Sequence, residues 1–369
     1  MKRGVFRAVA VTLALLMMVS LCGCELDVTV ETMGGQNAGT TTQWVGTTGV
    51  ANPTDPWDGE TKVTTTVTNI TTKTTTAAKV YEDMMYVDWD PSTRILKVVQ
   101  KYSSTQDLMS IVKPVAPNSI MNFVNPKLIA NTAKTVSNNV AAATAMPGAG
   151  GSESDWLGPH FINGDWHGGT HGHDGATTAE TVDVVLKVNG VVTEGNVGTY
   201  AGEVTLTYTN NIWNSSTRET FLKEYYTLTF DGEYWHVECT LHFVKAASNW
   251  KSYYGMQCTY GPWQDTIAYG DEEPVSIGDA AGNTKASTWD CDTMTLRHSN
   301  GNALEMKMDR TYSLGRGVLL DKSTAAGGFT SAYPHPNGKA YFTLVNNGSS
   351  VNANAKYKWR GTYRFFYEG

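Results

Sequence analysis

Beyond residue 180 the chain alternates apolar and polar positions in short runs broken by turn dipeptides. VDVVLKV ends at Asn189-Gly190 and Val191-Val192 resumes after it; EVTLTYT, residues 203 to 209, alternates strictly. YYTLTF breaks at Asp231-Gly232 before EYWHVECTLHF, and TMTLRH breaks at Asn300-Gly301 before ALEMKM. AYFTLVNNG and YKWRGTYRFFYEG follow. A period of two marks strands with one face buried, and Asn-Gly or Asp-Gly between such runs favours a tight hairpin turn. No stretch after residue 180 holds a helical period over ten residues. The pattern predicts an all-β fold, an antiparallel sandwich built from hairpins. Residues 104 to 145 read differently: LMSIVKPVAPNSIMNFVNPKLIANTAKTV, interrupted by prolines, predicts a small irregular part with one or two short helices.

Alternation also assigns faces. In EYWHVECTLHF, Trp235, Val237, Cys239, Leu241 and Phe243 share the core side, which makes Cys239 a small buried hydrophobe. His236, Glu238, Thr240 and His242 share the other side, either a solvent face or the floor of a cleft. WKSYYGMQCTYGPW, residues 250 to 263, is dense in aromatics. Trp156, Trp166, Trp250, Tyr253, Tyr254 and Trp263 fall in apparent loops or strand ends, where planar rings suit the apolar side of a pyranose. Packing in the core is the alternative for them.

Composition changes the picture at the other end. From Glu25 to about Ala78 the chain is threonine-rich without hydrophobic periodicity, too polar to offset the entropy of ordering it. A tether over 24–79 and one folded domain over 80–369 are expected. Ahead of the tether, Lys2, Arg3 and Arg7 precede an apolar run from Ala8 to Leu21, shorter than the roughly 20 residues of a spanning helix. The run ends in Leu21-Cys22-Gly23-Cys24, which resembles the lipobox of bacterial lipoproteins. The resemblance implies a signal peptide over 1–23, a lipid on Cys24, and a protein anchored in the cell membrane facing outward.

The formal charge is −7, and removing the leader makes it more negative. No run of lysine or arginine follows the leader, so nucleic acid is not an expected partner. Cys239, Cys258 and Cys291 are the cysteines after Cys24, an odd set without CxxC spacing. No cofactor is implied.

The stretch GDWHGGTHGHDG, residues 164 to 175, holds His167, His171 and His173 with Asp165 and Asp174 among glycines. It admits a glycine-rich turn, a structural metal site, or a loop lining a functional cleft. The cleft reading has chemical content. Cleaving an acidic polysaccharide by β-elimination needs a group that neutralises the uronate, a base for the C5 proton and an acid for the leaving oxygen. A histidine-rich loop, the polar face of a strand and the Tyr-Tyr-Gly-Met-Gln segment together resemble the sites of β-sandwich polysaccharide lyases. That resemblance implies catalytic roles for His167, His171, His242, Tyr254 and Gln257. Trp166, Trp250, Tyr253, Trp263, His236 and Glu238 are the candidate ligand-binding residues. The expected function is a lipid-anchored surface protein that binds a polysaccharide or cell-wall glycan. A lyase and an adhesion protein without a small ligand are the alternatives.

Overall fold

The computed structural model describes residues 84–148, 156–173, 176–259, 261–263, 265–277, 292–316, 331–335, 339–346 and 348–369. The chain divides between Ala78 and Lys79. The leader, Cys24 and the tether therefore lie outside the described residues, as do Asp174 and Cys291.

Regular structure among the described residues is almost wholly β. The chain opens with β1 (Met85–Asp90), β2 (Ile95–Lys101), β3 (Gln106–Val115), β4 (Ile120–Ala130) and β5 (Thr144–Ala145). Next come β6 (His160–Ile162), β7 (Asp165–His167), β8 (Ala179–Val188), β9 (Val191–Thr193) and β10 (Val197–Ala201). The long strands β11 (Val204–Trp213), β12 (Thr220–Phe230), β13 (Tyr234–Phe243) and β14 (Trp250–Thr259) follow. Then come β15 (Thr266–Tyr269), β16 (Val275–Ser276), β17 (Thr293–Arg297) and β18 (Asn302–Met308). The last are β19 (Ser331–His335), β20 (Lys339–Asn346) and β21 (Lys356–Tyr367).

These strands form three antiparallel sheets. A six-stranded sheet runs β10-β1-β2-β3-β4-β5, a ten-stranded sheet β16-β15-β17-β18-β21-β13-β12-β11-β8-β9, and a five-stranded sheet β19-β20-β14-β6-β7. The all-β sandwich expected from the pattern is the fold. Its hairpins turn where the dipeptides predict: Asn189 and Gly190 both take positive φ (50° and 79°), as do Gly232 (104°) and Gly301 (92°).

Residues 104–145 differ from the expectation of short helices. They form β3, β4 and β5, with one 3-10 turn at Val140–Ala142. Both faces of β3 and β4 are buried over most of their length, so their apolar runs lack the alternation that marks a half-buried strand. Pro117 sits in the turn between them, and a bulge lies between Met109 and Ile111.

The two smaller sheets share one core with the ten-stranded sheet. From β4, Phe123 packs its ring at 5.2 Å from Trp235 of β13 and 5.4 Å from Tyr363 of β21. From β14, Tyr253 meets Trp359 of β21 at 6.4 Å between ring centres, and Trp250 meets Phe243 of β13 at 4.9 Å.

Candidate functional site

The histidine-rich stretch starts inside the hairpin of β6 and β7. Asn163 and Gly164 turn it with φ of 55° and 95°. The register pairs His160 with His167 and Phe161 with Trp166. Alternation then sends His160 and His167 into the core and leaves Phe161 and Trp166 half-exposed on the outer face. Gly168 and Gly169 turn the chain away with positive φ (72° and 53°). A side chain at Gly172 would stand 2.5 Å from the Ala176 carbonyl oxygen, so glycine is required for this close approach.

Asn118, buried in the turn between β3 and β4, holds the loop from below. Its Nδ2 donates to the carbonyls of Gly169 at 3.1 Å and His171 at 2.7 Å. Its Oδ1 accepts from the backbone N–H of Thr178 at 2.7 Å and Ala179 at 3.2 Å. Thr178 adds a hydroxyl bond to the His171 carbonyl at 2.8 Å. The loop is therefore tied down at several points, although its sequence reads as open glycine-rich backbone.

Its three histidines diverge. His167 is buried, with Nδ1 3.2 Å from the Trp213 carbonyl and its ring edge-on to Phe221 at 5.1 Å. Burial lowers its pKa against the opposing pull of the Asp165 charge and the Trp213 carbonyl. His171 stacks on Trp166 with centroids 5.3 Å apart and planes at 28°. His173 pairs through Nδ1 with Asp165 Oδ2 at 2.6 Å. Among the described residues no group of three His, Cys, Asp or Glu side chains is arranged to hold a metal ion.

What the loop does build is one end of an aromatic band on the outer face of the five-stranded sheet. Trp166 contacts Phe161 at 5.1 Å, His171 at 5.3 Å and Tyr254 at 5.5 Å. Tyr254 in turn lies 4.4 Å from Tyr341 of β20. Lys251 places its ammonium 5.5 Å from the centre of the Phe161 ring. Four of these five rings are half-exposed, and Tyr341 is nearly covered. Irregularities in β14 on both sides of Tyr254 turn its ring outward beside the inward Tyr253.

The other sequence candidates lie elsewhere. Trp250, Tyr253 and Trp263 are fully buried and belong to the core, not to a rim. Gln257 is buried as well, its Nε2 without a partner and close to Gly158, where a Cβ would stand 2.6 Å from it. His236, Glu238 and His242 occupy the outer face of the ten-stranded sheet. His236 pairs with Asp231 at 3.0 Å. Glu238 lies opposite Arg360 in register, and both border a groove of about 390 Å³ with His236, Lys307, Asp309 and Arg310. Arg360 spends its Nε–H on Asp309 at 2.7 Å. His242 sits between Lys223 and Lys356 on the neighbouring strands. The structure thus brings Trp166, His171 and Tyr254 together; it holds His167 beneath them in the core and leaves His242 and Gln257 apart.

Sequence reading missed a buried polar cluster under the band. His160 Nε2 lies 2.8 Å from Glu224 Oε1, with both side chains inaccessible to solvent or nearly so. The His160 ring stacks on Tyr253 at 3.9 Å with planes at 3°. Asn210 Nδ2 donates to Glu224 Oε2 at 2.9 Å, Thr181 donates to Asn210 at 2.6 Å, and Trp359 Nε1 donates to the Tyr253 hydroxyl at 2.7 Å. Burial first, and the Glu224 carboxylate after it, push the Tyr208 phenol and the Cys239 thiol well above their ordinary values. Cys239 is an inert core thiol. One signal was available: Glu224 occupies the inward phase of β12, shared with Leu222, Tyr226 and Leu228, where a carboxylate is buried only with partners. No family model matches the chain, and no curated protein matches it.

Proposed function

We propose that this chain is a lipid-anchored surface protein whose β domain binds carbohydrate through the band of Phe161, Trp166, His171, Tyr254 and Tyr341. The observation that carries the reading is the run of ring contacts from the nearly covered Tyr341 through Tyr254 and Trp166 to Phe161 and His171, the last four half-exposed. Aromatic faces offer area at low entropic cost, and rings already locked against each other lose little freedom on binding. The band is an open platform, suited to a polymer lying across it. The flanking amine of Lys251 and imidazole of His171 supply hydrogen bonds to hydroxyls. The anchor and outward-facing location rest on the lipobox-like leader and Cys24.

A lyase would need acid, base and carboxylate-neutralising groups to converge. Tyr254 and His171 share the band, whereas His242 stands on another sheet and Gln257 is covered. Binding without cleavage is the better-supported reading.

The test is affinity electrophoresis of the full chain through gels containing neutral and acidic plant or cell-wall polysaccharides. Trp166→Ala and Tyr254→Ala should each weaken retardation at least tenfold, about 1.4 kcal/mol, while unfolding midpoints move by only a few degrees. Unchanged retardation in both variants, or no retardation of the parent by any polymer, refutes the reading. The anchor is tested separately: Cys24→Ala should release the protein from the membrane fraction, and a variant that stays membrane-bound refutes lipidation there.

A further inference from the structure

The outer face of the ten-stranded sheet carries a feature that the band does not use. β12, β13 and β21 are neighbours, and their register sets Lys223 opposite His242 and His242 opposite Lys356. Opposed residues share a face, and inward Leu222, Leu241 and Phe243 fix this one as the outer face. Two residues along, Tyr225, Thr240 and Lys358 form the next outward row. Neighbouring strands lie about 4.8 Å apart and alternate residues roughly 6.8 Å apart, so three lysines and an imidazole crowd a small area. Like charges directly opposite across strands are destabilising.

Other cations around this patch are neutralised, although Lys187 on β8, farther across the sheet, has no ion pair among the described residues. Arg360 pairs with Asp309 at 2.7 Å, Arg364 with Glu233 at 2.6 Å and Lys307 with Asp292 at 3.6 Å. Lys223, Lys356 and Lys358 have no carboxylate within ion-pair distance among the described residues, in a chain of net charge −7 with acids to spare. Beyond the start of β12, Glu219 is taken by Lys245. The groups around His242 are Lys223 from β12, Lys356 from β21 and the Asn354 side chain, which hydrogen-bonds the ring. Partial burial, then Lys356 and Lys223, hold the imidazole below its usual pKa. Beside the cations stands Tyr225, 41 % exposed, one of the few large hydrophobic side chains open to solvent among the described residues.

We propose that Lys223, His242, Lys356 and Lys358, with Tyr225 beside them, form a second glycan site that binds the carboxylate or sulfate groups of an acidic polysaccharide. The cations neutralise the anion that the sheet itself does not provide, and the Tyr225 face receives the ring that carries it. The site is independent of the aromatic band.

The experiment uses the full chain in affinity gels and calorimetry with polygalacturonate, dextran sulfate and neutral dextran. Both or either of the charged polymers should bind, and binding should fall steeply between about 50 and 200 mM salt because exposed charges are screened. Which of the two binds more tightly identifies carboxylate or sulfate as the group recognised. The variant Lys223→Gln/Lys356→Gln/Lys358→Gln should lose at least tenfold in affinity with an unfolding midpoint equal to or above the parent's, since it removes repulsion and no packing. In the parent, the His242 imidazole followed by NMR should titrate at higher pH when the polymer is bound. Undiminished binding by the triple variant overturns the proposal, as does a His242 titration that ignores the polymer. If Trp166→Ala abolishes charged-polymer binding and the lysine variant does not, this site is refuted while the band stands. Equal lysine-dependent binding of single-stranded DNA or anionic vesicles overturns the assignment to polysaccharide.

Discussion

Replacing Glu224 by alanine removes the acceptor at the centre of the buried cluster. His160 Nε2 at 2.8 Å and Asn210 Nδ2 at 2.9 Å lose their partner where both are buried, and the Tyr226 hydroxyl is left with the Tyr253 hydroxyl alone. Breaking a buried, hydrogen-bonded pair from one side costs about 3–5 kcal/mol, because the remaining partner stays desolvated and unpaired. In a domain of this size each kcal/mol moves the midpoint by roughly 2–4 °C, so a fall on the order of 6–20 °C is expected. His160→Phe should be similarly costly: it keeps the flat stack on Tyr253 but strands the carboxylate. The decisive measurement is the double-mutant cycle of Glu224→Leu and His160→Phe by urea denaturation, with the slope of stability against urea checked to be unchanged. With both partners apolar, the double variant should be more stable than the sum of the singles predicts by at least about 1 kcal/mol. Additive losses would refute the coupling, and single losses below about 1 kcal/mol would show that the pair holds nothing together.

Asn118→Ala leaves the Gly169 carbonyl and the Thr178 and Ala179 amides without their Asn118 partner, while the His171 carbonyl keeps the Thr178 hydroxyl, and should cost about 1–3 kcal/mol for each group left buried and unsatisfied. It should also weaken glycan retardation, since His171 then loses its place on Trp166; retardation equal to the parent's would show that the loop does not order the band. His167 supplies a pH test. Its folded pKa lies below the usual value near 6.5, so stability is full above that pH and declines below it as the unfolded chain takes up a proton the folded chain refuses. The difference in unfolding free energy between the parent and His167→Phe should therefore shrink as pH falls from 7.5 towards 5, and a difference independent of pH contradicts the assignment. Gly158→Ala pushes a methyl into the Tyr254 carbonyl and the Gln257 amide; far-UV and near-UV circular dichroism should show lost tertiary packing, and a native-like midpoint would mean the backbone there yields freely.

Much of this architecture was legible because its signals are local. The hairpins at Asn189-Gly190, Asp231-Gly232 and Asn300-Gly301 need only a turn dipeptide between alternating runs, and the inward row of β13 follows from alternation alone. Partition into three sheets was not legible, because β21 pairs with β13 and β18 and β14 pairs with β6 and β20 across long stretches of chain. The fates of Tyr253 and Tyr254 show the limit for a site. In a regular strand adjacent residues face opposite sides, and which of the two faces outward here depends on bulges that the sequence does not announce. Trp250 and Trp263 looked like rim residues because each stands near a turn, yet proximity to a turn says nothing about which face a ring occupies. His160 and Glu224 escaped notice because their significance exists only once β6 is laid over β12.

The placement of the outermost strands has a mechanical consequence. β1 runs between β10 and β2, and β21 runs between β18 and β13, so the first and last of the described strands are both interior members of their sheets. Fraying past Tyr86 at one end or Arg364 at the other means breaking two ladders at once. β10 reinforces this, since the chain leaves the ten-stranded sheet after β9, clasps β1, and returns as β11. Tension on β1 passes to β10 at Met85 and to both β10 and β2 from Tyr86 onward, and β10 is joined through the chain to β9 and β11 of the ten-stranded sheet. Under a pulling force, these two interior strands would be the last parts of their sheets to yield.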